Sequence, residues 1–177
     1  VEEQIELKTL ISQYLSSPEY NELLRTHPEV VVNFHTGNNQ FFMKGSPVHL
    51  SKTVMNLVSN AAEAIYKTGQ IDISLEQCVL NTQPVDFSQW RKGPYIRLTV
   101  ADTGIGISEK HLERIFEPFY SRKIMDKSGT GLGMSVVWGT MEDHKGHISV
   151  ISKTAMKIIK IFLNLIIPPV FSTCQGC

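Results

Sequence analysis

The stretch from Ser46 to Gly69 constrains this chain more than any other, because it reads as one long helix with a single apolar face that something must cover. Ser46 is a good N-cap and Pro47 suits the first helical position. Val48, Leu50, Val54, Leu57, Val58, Ala61, Ala62 and Ile65 recur at helical spacing, and Gly69 follows the end. Strand-like runs lie on both sides of it. Val30 to Phe34 is β-branched and aromatic, Thr36 to Asn39 is a turn, and Gln40 to Met43 is a plausible partner strand. Ile71 to Leu75 and Tyr95 to Val100 alternate, with Asn81 to Gly93 between them as a polar surface insertion. Val1 to Leu15 has helical spacing up to the break at Ser16-Ser17-Pro18, and Glu19 to Arg25 adds a short second helix. Ser108 caps a short helix reaching Ile115, Leu132 to about His144 forms another, and Ile148 to Ile151 and Ile161 to Ile167 finish as strands. Strands follow strands too often for βαβ repetition. The order predicts an α+β fold, a two-layer α/β sandwich in which a mixed sheet carries its helices on one face.

Composition narrows the partners. The chain has 177 residues, enough for one domain with its own core, and 42% of them are hydrophobic. Lys+Arg and Asp+Glu are 17 each, so the net charge is +0 and no basic surface for nucleic acid or an acidic membrane is expected. An anionic ligand must then be held locally, by backbone amides or a few aimed cations. The three cysteines, Cys78, Cys174 and Cys177, make no disulfide framework, and the C-x-x-C pair sits at the chain end. Free thiols suit the cytoplasm. The N-terminal segment lacks the apolar core of a signal peptide. The most apolar run, Ile158 to Ile167, is interrupted by Lys160 and Asn164 and falls short of the ~20 residues of a membrane span.

Three motifs could carry chemistry. On the long helix, Asn56, Asn60 and Glu63 fall at i, i+4 and i+7, on one face. Asn is a poor helix former, and a carboxamide oxygen is a hard neutral ligand suited to Mg²⁺, although a solvated polar face has the same pattern. In Val100-Ala101-Asp102-Thr103-Gly104-Ile105-Gly106-Ile107, a carboxylate ends a buried-looking strand and glycines follow at once. A buried carboxylate needs a donor, which the exocyclic amine of adenine would supply; an ordinary Asp-x-Gly turn reads identically. In Ser128-Gly129-Thr130-Gly131-Leu132-Gly133-Met134-Ser135, glycines open a helix. That arrangement can cradle a polyphosphate with backbone N–H groups and the helix dipole, yet it lacks the preceding strand of a dinucleotide fold and the Gly-Lys-Ser/Thr of a Walker A loop.

In this order and at these separations, the motifs resemble the histidine-kinase branch of the gyrase, Hsp90, histidine kinase and MutL ATPase superfamily. Asn56 to Ala64 is similar to its N box, Asp102 to Gly106 to its G1 box and Gly129 to Gly133 to its G2 box. Arg114-Ile115-Phe116-Glu117-Pro118-Phe119-Tyr120-Ser121-Arg122-Lys123 resembles the F box of histidine kinases. The likeness covers roughly residues 28 to 152. It implies a Bergerat-type sandwich that binds ATP and Mg²⁺. Asp102 would accept from the adenine amino group, with Gly104, Gly106 and Ile107 lining the base pocket. Asn60 would coordinate the metal, with Asn56 and Glu63 beside it. Thr130, Gly131, Leu132 and Gly133 would hold the phosphates. The segment from Ser108 to Ser128 would be an ATP lid anchored by Phe116 and Phe119, with Arg122 or Lys123 reaching the terminal phosphates.

The same resemblance suggests which reaction. In gyrase-like relatives the residue four before the metal Asn is a water-activating Glu; here it is Asn56, which cannot act as a general base. That favours phosphoryl transfer over hydrolysis, with Asn56 and Lys123 as the residues nearest the chemistry. The acceptor would be a histidine in a separate helical dimerisation domain, with a response-regulator receiver domain downstream. None of the six histidines here, His27, His35, His49, His111, His144 and His147, is followed by an acidic residue, so the acceptor is expected N-terminal to Val1. The implied organisation is a linker helix region at 1–27, the catalytic domain at 28–168 and a disordered tail at 169–177. The location would be cytoplasmic, in a parent that can itself be membrane-anchored. One departure is that Thr154 to Lys160 stands where sensor kinases have a glycine-rich hairpin. The rival readings are a nucleotide-binding module without its own catalysis, a hydrolytic ATPase of the same superfamily, and a serine protein kinase of anti-sigma type, against which the F-box resemblance argues.

Overall fold

The computed structural model describes residues 3–80, 92–120, 131–153 and 155–164. Five strands form the main sheet: β2 (Val30–Thr36), β4 (Gly69–Leu80), β5 (Gly93–Asp102), β6 (His147–Lys153) and β7 (Met156–Asn164), in the order β2-β4-β5-β7-β6. Only β2 and β4 are parallel; every other neighbour is antiparallel, so the sheet is mixed as expected. Strand alternation decides its two faces. Ile71, Ile73 and Leu75 of β4, Ile96, Leu98 and Val100 of β5, and Ile159, Ile161 and Leu163 of β7 are all buried. Their cross-strand registers match, for Ile73 faces Val100 and Val100 faces Ile159, while Leu75 faces Leu98 and Leu98 faces Ile161. This is one continuous apolar surface. The other face carries polar residues such as the cross-strand ion pair of Arg97 with Glu76.

The long helix α3 (Pro47–Glu63) covers the apolar face together with α5 (Gly133–Asp143), and α1 (Leu7–Tyr14) packs against α3. Ser46 caps α3 through its hydroxyl, which accepts from the His49 N–H at 3.4 Å. Leu50, Val54, Leu57, Val58, Ala61 and Ala62 are all buried, and each large side chain among them contributes about 1.5–3 kcal/mol by leaving water. Gly69 begins β4 directly after this helix, so α3 is the crossover between the parallel strands β2 and β4.

Two expectations at the N-terminal end are corrected. The segment predicted as one helix from Val1 to Leu15 begins instead as a strand, β1 (Glu3–Glu6), before α1. The Glu6 carboxylate accepts from Thr9 N at 2.7 Å and from Phe41 N at 3.1 Å, which caps α1 and fastens it to the neighbouring strand. Ile5 is buried from the strand and Leu7, the first residue of α1, from the helix, so the change of element falls between them. The second correction concerns Gln40 to Met43, expected to pair with the Val30 strand. Its core, β3 (Phe42–Gly45), pairs with β1, placing Met43 opposite Ile5. The edge it leaves is taken by β4, so β2 can set Val32 and Phe34 against the core. The helix after Pro18 is present as α2 (Pro18–Thr26). The insertion expected at Asn81 to Gly93 lies, but for its last two residues, outside the described residues.

Candidate functional site

Asp102 is the last residue of β5 and sits in the helix-facing phase of that strand. It is 2% exposed, a charged end to a ladder that is otherwise apolar. Its Oδ1 accepts from the Gly104 N–H at 3.0 Å. Its Oδ2 has no hydrogen-bond partner among the described residues, and the nearest charge is the Lys157 ammonium at 3.3 Å. Burial pushes the Asp102 carboxyl above the usual range, opposed by Lys157 and by the Gly104 N–H. An orphaned acceptor inside a protein is costly, and a donor brought by a ligand relieves it.

The glycines after Asp102 are there for contact. A Cβ on Gly104 would lie 2.6 Å from the Ala64 carbonyl oxygen at the end of α3, and Ile105 N donates to that same oxygen at 3.0 Å. Gly106 has φ +72°, and a Cβ there would meet the Lys153 carbonyl oxygen at 2.1 Å. Ile107 N donates to the Ser152 hydroxyl at 2.6 Å. The loop is thus laced to the long helix on one side and to the β6–β7 corner on the other. Thr103 fixes its start, with its hydroxyl accepting from Gln70 N at 2.9 Å.

A second group of polar atoms lies at the start of α5. A Cβ on Gly133 would come within 3.2 Å of Asn56 Oδ1 and 3.5 Å of Asn60 Nδ2. The two carboxamides of α3 therefore face the N-terminus of α5. Leu132 gives that terminus no side-chain cap among the described residues, so its first N–H groups can be offered to an anion. Glu63, further along the same face, is exposed. Among the described residues no three His, Cys, Asp or Glu side chains converge as a metal site. The donor set fits Mg²⁺ nevertheless, since this ion takes few protein oxygens and keeps waters and phosphate oxygens for the rest. Lys157 joins Asp102 to the backbone of α3. Its ammonium donates to the main-chain carbonyl of Asn60, not to its carboxamide, at 3.3 Å while standing beside Asp102.

The segment expected as a lid is partly described. Its helix, α4 (Glu109–Leu112), is shorter than predicted and Ser108 makes no side-chain cap, so the chain continues in successive three-residue turns to Tyr120. Phe116 packs on the core and against Trp138, ring centroids 5.0 Å apart. Phe119, expected as a second anchor, is corrected: the residue is 76% exposed, and its contribution is its backbone, which would lie 2.7 Å from a Cβ on Gly131. Arg114 lies 4.4 Å above the Tyr120 ring, which also touches His111. Leu132 is the N-cap of α5 and is partly exposed. Arg122, Lys123, Thr130, Cys174 and Cys177 lie outside the described residues.

Sequence reasoning passed over Lys157 as a site residue. The signal was present, since Lys157 holds the same phase as Ile159, Ile161 and Leu163, where a lysine is out of place. A groove of about 560 Å³ between α1, α2 and the start of α3 is lined mainly by apolar surface, including Leu10, Val48 and Met55, and contains none of the expected site residues.

Residues 45–165 match the family described as Histidine kinase-, DNA gyrase B-, and HSP90-like ATPase. The chain is 29% identical over 148 residues to the sensor histidine kinase ZraS of Escherichia coli O157:H7, covering 84% of this chain and 28% of that protein. It is 31% identical over 165 residues to sporulation kinase A of Bacillus subtilis, covering 89% of this chain and 23% of that protein. It therefore spans about a quarter of the length of these relatives. The fold is similar to the catalytic domain of histidine kinase ThkA, with a TM-score of 0.72 at 24% identity over 93% of this chain and 96% of that one. It is also similar to the mycobacterial sensor histidine kinase MprB, with a TM-score of 0.68 at 20% identity over 92% and 97% of the two chains.

Proposed function

We propose that this chain, which belongs to the Histidine kinase-, DNA gyrase B-, and HSP90-like ATPase family as a histidine-kinase ATP-binding domain, binds Mg-ATP and presents the γ-phosphoryl group to a histidine on a separate dimerisation domain. The observation that carries this reading is a pair of polar groups, one at the end of β5 and one between α3 and the start of α5. One is a buried acceptor at Asp102 suited to an exocyclic amine; the other is two carboxamides facing an uncapped helix start, suited to a metal-bound polyphosphate.

Asp102 orients the base by accepting from its amino group, and Gly104, Gly106 and Ile107 shape the pocket around it. Backbone N–H groups at Gly131, Leu132 and Gly133 hold phosphate oxygens, with Thr130 and Phe119 on the lid side. Asn60, with Asn56 beside it and Glu63 at the rim, holds Mg²⁺, which when bound neutralises phosphate charge. Asn56 has no basic oxygen to take a proton from water, so the site holds ATP ready for transfer and does not hydrolyse it quickly. Lys123 is assigned to the terminal phosphate. The domain is assigned to 28–168, with 1–27 packed on it through β1 and α1, and with a histidine-bearing dimerisation domain and, indirectly, a receiver domain as partners. No nucleic-acid or membrane contact is assigned to it; no helix among the described residues is long and apolar enough to cross a membrane. The location assigned is cytoplasmic.

The test is incubation of the chain with γ-labelled ATP, alone and with a histidine-bearing dimerisation domain. Acid-labile label on the added domain, absent when its histidine is replaced, is the expected result. Rapid phosphate release by the chain alone would support the hydrolytic reading instead, and binding without transfer would support a nucleotide-binding module.

A further inference from the structure

Lys157 is a buried cation at a position where the fold asks for an aliphatic side chain. It is 5% exposed, lies directly opposite Asp102 in the β5–β7 register, and closes the ladder that runs Leu163, Ile161, Ile159. A buried ammonium is expensive unless its donors are used. It has three N–H donors and no acceptor. One donor goes to the Asn60 carbonyl at 3.3 Å. Another faces Asp102 Oδ2 at 3.3 Å but is not aligned as a hydrogen bond, since that oxygen has no hydrogen-bond partner among the described residues. The third has no partner among the described residues. Asp102 Oδ2 and the Lys157 ammonium thus stand side by side as an ion pair without an aligned hydrogen bond, each with hydrogen-bonding capacity left over on one edge of the site.

That pair complements one edge of adenine. The purine presents its 6-amino group, a donor, next to N1, an acceptor. Guanine in the same pose presents the reverse, setting O6 against the carboxylate and N1–H against the ammonium. Resting on the ATP reading above, we propose that Lys157 is a second base-reading residue: its ammonium donates to adenine N1 while Asp102 Oδ2 accepts from the 6-amino group. Lys157 remains anchored to the Asn60 carbonyl as it does so, which ties base recognition to the helix carrying the metal-facing carboxamides. No covalent step is involved, and each of the two ion-paired groups gains an aligned hydrogen bond in addition to its counter-charge.

The test compares ATP with 1-deaza-ATP, which keeps the amino group and lacks N1, and uses 7-deaza-ATP as the control for the other ring edge. Binding is measured by calorimetry with Mg²⁺ on the native chain and on Lys157→Met, which keeps the length and apolar stem. The expected result is at least tenfold weaker binding of 1-deaza-ATP than of ATP by the native chain, little change with 7-deaza-ATP, and a ratio within about twofold in Lys157→Met. Equal binding of ATP and 1-deaza-ATP by the native chain sinks the Lys157 assignment and leaves the ATP reading standing. So does discrimination that persists unchanged in Lys157→Met, or a loss with 7-deaza-ATP in place of 1-deaza-ATP. Failure of the native chain to bind ATP at all removes the nucleotide reading, and this assignment with it. The native-chain comparison decides the matter even where Lys157→Met does not fold.

Discussion

Adding one methyl group at either of two neighbouring glycines separates folding from ligand binding. At Gly131 the backbone has φ +68°, and a Cβ would stand 2.7 Å from the Phe119 carbonyl carbon and 3.0 Å from its Cα. Both atoms are backbone and cannot step aside, and a left-handed φ adds its own strain. Gly131→Ala should therefore cost roughly 1–3 kcal/mol of stability. At Gly133 the φ is ordinary, the residue is already helical, and the nearest atoms are side-chain ones, Asn56 Oδ1 at 3.2 Å and Asn60 Nδ2 at 3.5 Å. Those carboxamides can give by a few tenths of an ångström, and alanine is favoured over glycine in a helix by up to about 1 kcal/mol. Gly133→Ala should leave the unfolding midpoint unchanged or slightly raised. The new methyl nevertheless fills the gap between the carboxamides and the helix start, where the phosphates and metal are assigned. Mg-ATP binding should weaken at least tenfold, or about 1.4 kcal/mol. Denaturant melts and calorimetric titration of both variants make the assay. An unaltered ATP affinity in Gly133→Ala, or a stability loss equal to that of Gly131→Ala, would refute the reasoning.

Three further outcomes follow from the same geometry. Because burial raises the Asp102 carboxyl above 3.8, against Lys157 and the Gly104 N–H, its protonation favours the folded state: that contribution is full below 3.8 and is lost as pH rises through the folded value. Asp102→Asn should flatten this part of the stability–pH curve and weaken ATP at neutral pH; a curve parallel to the native one contradicts it. Glu6 runs the other way, since partial burial is outweighed by hydrogen bonds from Thr9 and Phe41, and its carboxyl is held below 4.5. Its contribution is full above 4.5 and disappears as pH falls through the folded value, so Glu6→Gln should cost about 1 kcal/mol near neutrality, the worth of a helix cap, and progressively less in acid. Asn60→Asp should change the Mg²⁺ dependence of nucleotide binding more than the affinity measured in EDTA, and identical metal titrations of the two proteins count against Asn60 as a ligand.

Much of the architecture was legible because each long element carried an unambiguous period. The α3 face, from Leu50 to Ala62, repeats every three to four residues, and Ser46-Pro47 marks its start chemically. The alternation expected for Ile71 to Leu75 and Tyr95 to Val100 is present in β4 and β5, although Tyr95 and Ile96 are both buried. The ends of the fold were harder. Ile5, Leu7, Leu10 and Ile11 satisfy a helical pattern, yet the first two also satisfy a strand, and the choice depends on Glu6 meeting Phe41 N from 35 residues away. A hairpin between the Val30 and Phe42 segments looked natural by proximity. It loses to the parallel pairing with β4 because α3 returns the chain to that edge.

The site divides along the same line. Asp102, Asn56, Asn60 and the glycines could be singled out because each breaks a local rule: a carboxylate ends an apolar strand, amides occupy a strong helix, glycines open one. Lys157 breaks a rule as plainly, for it interrupts the inward phase of β7. The sequence alone hides it, because the apolar run from Ile161 marks the strand and Lys157 lies in the stretch before it that reads as a turn. Only the pairing of Asp102 with Lys157 shows the lysine to be inside. The lesson is physical. The charge on a strand residue is informative only once its phase is known, and phase is set by the partner strand. Here the partner is the one bearing the carboxylate, so the residue most easily dismissed as surface charge is the one whose burial demands a ligand or a counter-charge at that spot.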